Sequence, residues 1–500
     1  MEPRPSMIPM TLDSPLLAGP LARGPGAAPR QTQLTQRLKL AILAGELPAG
    51  GKLPSSRALS ESLGVARNTV LIAYEQLAAE GFVVADTQGT RVAALQGRPV
   101  ARPKPVPAAQ APTQTAQRLS RLQPTRGAAP GPLPLAPGIP ALAQFPLAAW
   151  RRAHEQVLKE ALPATLAYGD PLGEPALREA LARQLRASRG VRCEPAQVIV
   201  TEGAQEALAL CVRLLTNPGD TVWLEDPGYR GARAAFNAGD LKLVPMRVDA
   251  QGLQAPPQAW REAPPRLIQA TPAHQYPTGA VLSVARRLDL LQRAAEAGAW
   301  IIEDDYDSEF RHQGEPIAAM QGLRPDAPVL YIGTFSKTMF PALRLGFLVL
   351  PAALQDAAAG PMAELLRGGH RLEQLAMARF IESGQFARHL GRMRRLYRER
   401  QQALREALAT QLGVAHEVLG GQGGLHLTVR LPPALRDQSI VDAARRQGLG
   451  VGALSSHAMR PLPEDNGLVI GYGNTSAEQM GPMVKRLGRI AKAQAGKAAG

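Results

Sequence analysis

Cysteine is almost missing from this chain: Cys193 and Cys211 are the two it has, in no CxxC spacing and with no histidine pattern beside them. That excludes a disulfide framework and a cysteine-built zinc site, and no metal site is expected. Long apolar runs are missing too. No window approaches the roughly 18 uninterrupted apolar residues of a membrane-spanning helix. The first residues, "MEPRPSMIPMTLDSPLLAGPLARGPGAAPR", lack a basic start followed by an apolar stretch. A soluble, cytoplasmic chain without a membrane partner is the expectation. Repeats of period 20 to 50 are absent as well, which excludes a solenoid.

Acidic residues are missing from one segment in particular. Between residues 98 and 140 stand Arg98, Arg102, Lys104, Arg118, Arg121 and Arg126, and not one Asp or Glu. The chain's formal charge of +15 therefore sits heavily in a tether, whereas residues 31–97 carry six Lys/Arg against five Asp/Glu. Such a tether can support phosphate contacts without reading sequence.

With 500 residues and 45% apolar content, the chain has material for several cores. Residues 1–30 are rich in Pro, Gly and Ala without a period, and are expected to be disordered. From Gln31 the pattern changes. Leu34, Leu38 and Ile42 recur every fourth residue up to Gly45, which predicts a helix with a glycine stop. In "SSRALSESLGVARNTVLIAYEQLAAEGFVV", Leu59 and Leu63 mark one short helix and "LGV" a turn. Val70, Ala73, Tyr74 and Leu77 mark the next helix. This is a helix-turn-helix layout, with Arg67, Asn68 and Thr69 at the start of the second helix, where base edges and phosphates are met. "GFVVADTQGTRVAAL" predicts two short strands joined at a glycine turn, a wing.

Across this stretch the chain resembles the winged-helix domain of the GntR regulators. The resemblance implies double-stranded DNA as a partner and a DNA-facing set of Ser55, Arg57, Arg67, Asn68 and Thr69, with Gly89 and Thr90 in the wing. Such wings usually run through an arginine and two glycines. This one reads "ADTQGTRV", with Asp86 near the expected arginine.

Residues 98–130, rich in Pro, Ala and Gln, have linker composition. From about residue 131 to 495, short β-branched runs ("QVIV", "TVWLE", "RLIQA", "WIIEDD", "VLYIG") alternate with amphipathic helical stretches such as 203–215 and 285–297. That alternation predicts an α/β domain with a mostly parallel sheet and a ligand site at the carboxyl ends of its strands.

Four stretches end predicted strands with polar residues. "VIVTEGAQEAL" passes from strand through a Gly turn into a helix whose first amides, at Gly203, Ala204 and Gln205, suit an anion. "WIIEDDYDSEF" puts Asp304 and Tyr306, two apart, on one side of a strand. "WLEDPGYRGAR" sets Tyr229 on a Pro-Gly turn, where its ring could stack on a flat ligand. "YIGTFSKTMFPALRLGF" supplies Lys337, an amine able to form a Schiff base when shielded from water. Thr334, Ser336 and Arg344 around it suit a phosphate.

In this order, behind a winged helix, these stretches and "LAYGDPLGEPALREALARQLRASRGV" and "TPAHQYPTGAVLS" make the whole chain similar to the MocR/PdxR regulators of the GntR family. In that branch a winged helix is fused to a fold type I aminotransferase-like domain. The resemblance implies a multidomain chain: an N-terminal winged helix-turn-helix (31–97) plus a C-terminal α/β fold type I transferase domain (131–495) dependent on pyridoxal 5′-phosphate. It implies Lys337 as the Schiff-base lysine, Asp304 as partner of the ring nitrogen and Tyr306 as donor to the ring oxygen. Tyr229 is implied against the ring, with Ala204, Gln205, Thr334, Ser336 and Arg344 around the phosphate. Tyr168 is implied as a phosphate contact from a neighbouring subunit, and His274 and Gln275 stand near the ring without an assigned role.

The resemblance further implies a head-to-tail homodimer and a small-molecule effector, either the cofactor or an amino acid or amine condensing with it. Two departures stand out. Glu202 precedes the phosphate-facing turn, and the last strand, "NGLVIGYGN", lacks the arginine that aminotransferases use for a substrate carboxylate, Arg430 and Arg460 lying outside it. A regulator that senses the cofactor and an active aminotransferase with an appended DNA-binding head both remain open.

Overall fold

The computed structural model describes residues 20–94, 122 and 133–498, apart from 25, 88, 313, 315 and 367. Of the stretch 1–30 expected to be disordered, residues 1–19 lie outside the described residues, as does nearly all of the expected linker; Leu21 departs from the expectation, because its apolar side chain is buried in the core of the first unit. Contacts divide the chain into two units, residues 1–114 and 115–500.

In the first unit, α1 (Arg30–Leu43), α2 (Ser56–Leu63) and α3 (Arg67–Ala79) are followed by β1 (Val83–Asp86) and β2 (Gly89–Val92). The apolar stripes of the three helices converge: Leu34, Leu38, Leu59, Val70 and Leu77 are buried together, with Val83 of β1. α2 starts because the Ser55 hydroxyl accepts from the Ala58 amide at 3.2 Å, and stops at Gly64, whose φ of 60° an L side chain adopts only at a cost. β1 and β2 pair antiparallel with Asp86 opposite Gly89, so the wing is a two-stranded hairpin.

The second unit holds an eight-stranded sheet of order β3-β10-β9-β8-β7-β4-β5-β6. Its strands are β3 (Val198–Thr201), β4 (Thr221–Asp226), β5 (Lys242–Asp249), β6 (Gly252–Leu253), β7 (Leu267–Ala270), β8 (Trp300–Asp305), β9 (Val329–Thr334) and β10 (Gly346–Val349). The central strands run parallel, and β10 is antiparallel to both its neighbours.

Successive side chains of a strand point to opposite faces, and here both faces are covered, which is why the strands read as unbroken apolar runs. Leu224, Leu267, Ile302 and Ile332 pack on the side of α4 (Ala204–Leu215) and α5 (Arg230–Ala238), with Leu208, Cys211 and Phe236. Trp223, Ile268, Ile301 and Val329 pack on the other side against Leu290 and Leu291 of α6 (Val284–Ala297). A smaller antiparallel sheet follows, built of β11 (Glu417–Leu419), β12 (His426–Arg430), β13 (Gly452–Ala453) and β14 (Gly467–Gly471) in the order β11-β12-β14-β13. Cys193 and Cys211 are both buried free thiols. Among the described residues no helix is long and apolar enough to cross a membrane.

Candidate functional site

At the carboxyl ends of β4, β7, β8 and β9 lies a cavity of about 300 Å³, and much of the chain's unusual chemistry faces it. Ala204, Gln205, Tyr229, Asp304, Tyr306, Thr334, Ser336, Lys337 and Arg344 all line it. Each arrives there for a local reason.

Gly203 precedes α4 with a φ of 88°, a conformation glycine alone adopts freely, and turns the chain so that the helix N-terminus opens on the cavity. In "EDDYD" the period of two separates the acids. Glu303 accepts the amides of Met320 and Gln321 at 2.8 and 2.9 Å. Asp305 pairs with the buried Arg189 at 2.7 Å. Asp304 and Tyr306 turn the other way, into the cavity.

The Asp304 carboxyl is fully buried. Burial, followed by the charges of Asp305, Glu225 and Asp307, pushes it up to about 7. Its Oδ1 atom is buried and has no hydrogen-bond partner among the described residues.

Lys337 donates to the Gly138 carbonyl at 2.8 Å. Burial pulls its ammonium below the usual lysine range, against the opposing pull of Asp307 and Asp304. A lysine so desolvated offers its neutral, nucleophilic form more readily than one in water. Thr334 donates from its hydroxyl to Ser336 at 3.0 Å and accepts the Ser336 amide at 3.2 Å, a tight hydroxyl pair after β9.

Arg344 sits in the left-handed region with a φ of 52°, where a residue with a side chain is strained by about 1–2 kcal/mol. It is held there by donating to the Glu202 carbonyl at 2.6 Å. Glu202 itself does not line the cavity. Its carboxylate is exposed and meets His370 at 3.3 Å, so its charge does not face the helix start.

Three expected residues stand apart. His274 lies one layer behind the cavity wall, its Nδ1 2.9 Å from the Tyr306 hydroxyl and 3.0 Å from Asp307. His274 is thus linked to the cavity through the Tyr306 hydroxyl and does not line it. Gln275 is buried in the turn, donating to Glu225, Pro227 and Tyr276 and accepting from Thr278, a node that holds loops together. Tyr168 is 90% exposed and does not line the cavity of its own chain.

The cavity also has lining that sequence reasoning did not single out: Thr271, Tyr276, Asp307, Leu425, His426 and Gly138. Asp307 closes the "EDDYD" motif but lies beyond the end of β8, where strand alternation does not set its direction. His426 comes from β12, whose sequence gives no signal of the approach, and burial lowers its imidazole to about 3, leaving it neutral. His274, Asp307 and His426 bring their polar atoms within 4.8 Å of one another, where no metal site was expected. The first two are joined by a hydrogen bond, and His426 Nε2 is 3.0 Å from the Pro277 carbonyl.

Of the arginines near the last strand, Arg430 pairs with Glu417 at 2.7 Å and Arg460 is exposed, and neither lines the cavity. Lys337 and Arg344 are therefore the only Lys or Arg among its described lining residues.

In the first unit, Arg67 and Asn68 are exposed at the start of α3. Arg67 is steadied by donating to the Ser56 hydroxyl at 3.1 Å. Arg57 is exposed and paired with Glu61, whereas Ser55 is engaged as the cap of α2. In the wing, Gly89 has a φ of 126° and lies close to Lys52, and the Thr90 carbonyl accepts the Leu53 amide at 2.8 Å. Asp86 lies 3.9 Å from Arg91, which tempers its negative charge.

Residues 30–92 match the model of bacterial regulatory proteins of the gntR family, and residues 132–480 that of aminotransferase class I and II. The chain is 38% identical over 454 residues to the probable rhizopine catabolism regulatory protein MocR of Rhizobium meliloti, covering 90% of this chain and 92% of that one. The chain belongs to the MocR-type regulators of the GntR family.

Other MocR-type proteins are similar over comparable spans. The pyridoxine biosynthesis transcriptional regulator PdxR of Corynebacterium glutamicum is 34% identical over 93% of this chain and 96% of its own. Among solved structures, the α-aminoadipate aminotransferase LysN of Thermus thermophilus, complexed with N-(5′-phosphopyridoxyl)-L-leucine, superposes with a TM-score of 0.67. It is 28% identical and covers 73% of this MocR-type chain and 93% of LysN.

Proposed function

We propose that this MocR-type chain is a DNA-binding transcriptional regulator that holds pyridoxal 5′-phosphate at Lys337, and that the cofactor, or an amino compound condensing with it, sets its DNA affinity. The observation that carries the reading is Asp304. Its buried Oδ1 is an acceptor without a donor in the same cavity as a lysine of lowered basicity. Leaving a buried polar atom unpaired is costly, and a protonated pyridine nitrogen is the donor that would satisfy this one.

The remaining residues fit the same group. Thr334, Ser336, Arg344 and the start of α4 would hold the phosphate, Tyr229 would lie against the ring, and Tyr306 would meet the ring oxygen. Burial holds the Tyr306 phenol well above the usual range, so it keeps a proton to donate. When bound, the cofactor supplies an aldehyde for Schiff-base formation and a ring that withdraws electrons.

Amino-acid turnover would call for a cation to receive a substrate carboxylate. Both described cations of the cavity are already assigned to the lysine and phosphate roles, which favours sensing over transamination.

A homodimer belongs to the proposal. Leu158 in the last turn of the helix Leu147–Glu160, and Leu162, Leu166 and Tyr168 beyond it, are exposed in succession, an apolar strip of the kind a second copy covers. A partner there would bring Tyr168 of one chain towards the phosphate of the other in a head-to-tail pair.

The test is to measure the affinity of the full chain for a promoter fragment with and without the cofactor. If ligand alters DNA affinity, DNA must alter ligand affinity by the same factor. Equal DNA affinities at full cofactor occupancy would remove the sensor reading.

A further inference from the structure

On α3, Val70, Ala73, Tyr74 and Leu77 are buried in the head's core. With 3.6 residues per turn, the opposite face carries Asn68, Ile72 and Glu75, with Arg67 and Leu71 on its flank. Ile72 follows Asn68, and Leu71 follows Arg67, by one turn each. Leu71 is 39% exposed and Ile72 40% exposed. Neither belongs to the apolar cluster of the head, and neither is among the half-buried residues packed against it.

An isolated exposed hydrophobic residue needs no explanation, but two adjacent ones on the face that carries Arg67 and Asn68 do. Ile is not chosen there for helix propensity, because a β-branched side chain loses rotamers in a helix. Neither side chain can bind phosphate, and exposed Glu75 on the next turn discourages it. The cations Arg57 and Arg67 stand towards the N-terminal end of the reading elements and are placed for phosphates. What remains for an apolar pair beyond them is the one apolar group displayed in the major groove, the C5 methyl of thymine.

We propose that Leu71 and Ile72 read thymine methyl groups in the operator half-site, next to the bases met by Asn68. The inference rests on the DNA-binding reading and names the chemistry that α3 selects. It makes sequence preference partly a matter of shape and apolar contact, with thymines one helical turn's rise from the base that Asn68 addresses.

The experiment uses the full chain and a duplex that it enriches from a random-sequence library. Each thymine in turn is replaced by deoxyuridine, which keeps the base pair and removes only the methyl. Affinity is expected to fall about fourfold at one or two thymines per half-site, the equivalent of about 0.8 kcal/mol for one buried methylene-sized group. Leu71→Ala and Ile72→Ala leave no cavity, because neither side chain is in the core. Each should weaken binding to the thymine duplex and erase the difference between thymine and deoxyuridine at its own position.

Indifference to every deoxyuridine replacement would overturn the inference while leaving the DNA-binding reading intact. So would a methyl effect that survives both alanine variants, or a change in self-association as their only consequence. Failure to enrich any duplex would remove the DNA-binding reading itself.

Discussion

The Lys337 amine donates to the carbonyl of Gly138 at 2.8 Å, across 199 residues of sequence. Gly138 has a φ of 73°, and a Cβ placed on it would lie 3.2 Å from the lysine nitrogen. The segment that opens the second unit thus limits how far the lysine can move, and glycine is what leaves it room. Gly138→Ala is expected to crowd the amine and slow or weaken uptake of pyridoxal 5′-phosphate severalfold, without the complete loss expected of Lys337→Ala. Spectrophotometric titration of both variants checks this, and unaltered uptake by Gly138→Ala would show that the contact does not constrain the amine.

The pH dependence of the cofactor-free protein should report Asp304. Its folded value, about 7, lies above its ordinary carboxylate value, so the folded state holds the proton more tightly than the unfolded chain. Its contribution to stability is therefore most favourable below pH 4 and is lost as pH rises to about 7, levelling off above. Asp304→Asn removes that dependence. The variant should gain thermal stability over the parent at pH 8 and gain little at pH 4, while losing tight cofactor binding. A gain independent of pH would mean that Asp304 is not the group responsible.

Much of this site was legible in the sequence because strand alternation and strand ends are local facts. Asp304 and Tyr306 share a side by the period of two, and Gly203 before Ala204 and Gln205 announces a helix start. What was not legible depends on contacts between distant segments. Asp307 is two past Asp305, so alternation would put it on the side of Glu303 and Asp305; β8 ends at Asp305, and the turn beyond brings Asp307 to the cavity wall instead. His426 is delivered by a strand of the smaller sheet. His274 is in a loop adjacent to the cavity, and only the packing shows that it meets the Tyr306 hydroxyl and does not line the cavity. In the head, the stripes of α1 to α3 were readable, but the exposure of Leu71 and Ile72 is visible only once the buried stripe is fixed in space.

Binding of DNA should depend on α3 without depending on the cavity. Asn68→Ala is expected to lower affinity for an enriched duplex by about 1–3 kcal/mol and to relax preference at one base position. Arg67→Ala should weaken binding across sequences and flatten its salt dependence. Both variants should take up as much cofactor as the parent, as measured by absorbance per chain. A drop in cofactor content would mean that the substitutions disturb more than the head.

Self-association should depend on the exposed leucines after the helix Leu147–Glu160. Leu162→Glu places a charge on a side chain that is 67% exposed in one chain, so the isolated fold should tolerate it. Sedimentation should show a monomer, with weaker cofactor binding if Tyr168 reaches across the pair. A variant that still sediments as a dimer would place the interface elsewhere.

The central claim joins Lys337 to DNA affinity, and one measurement addresses it directly: binding of the full chain and of Lys337→Ala to the same promoter fragment, each with and without saturating pyridoxal 5′-phosphate. The cofactor is expected to change the affinity of the parent by roughly 5- to 150-fold, the usual range of coupling between two sites, and to leave that of the variant unchanged. Identical affinities in all four arms, with the parent shown by absorbance to be fully loaded, would contradict it.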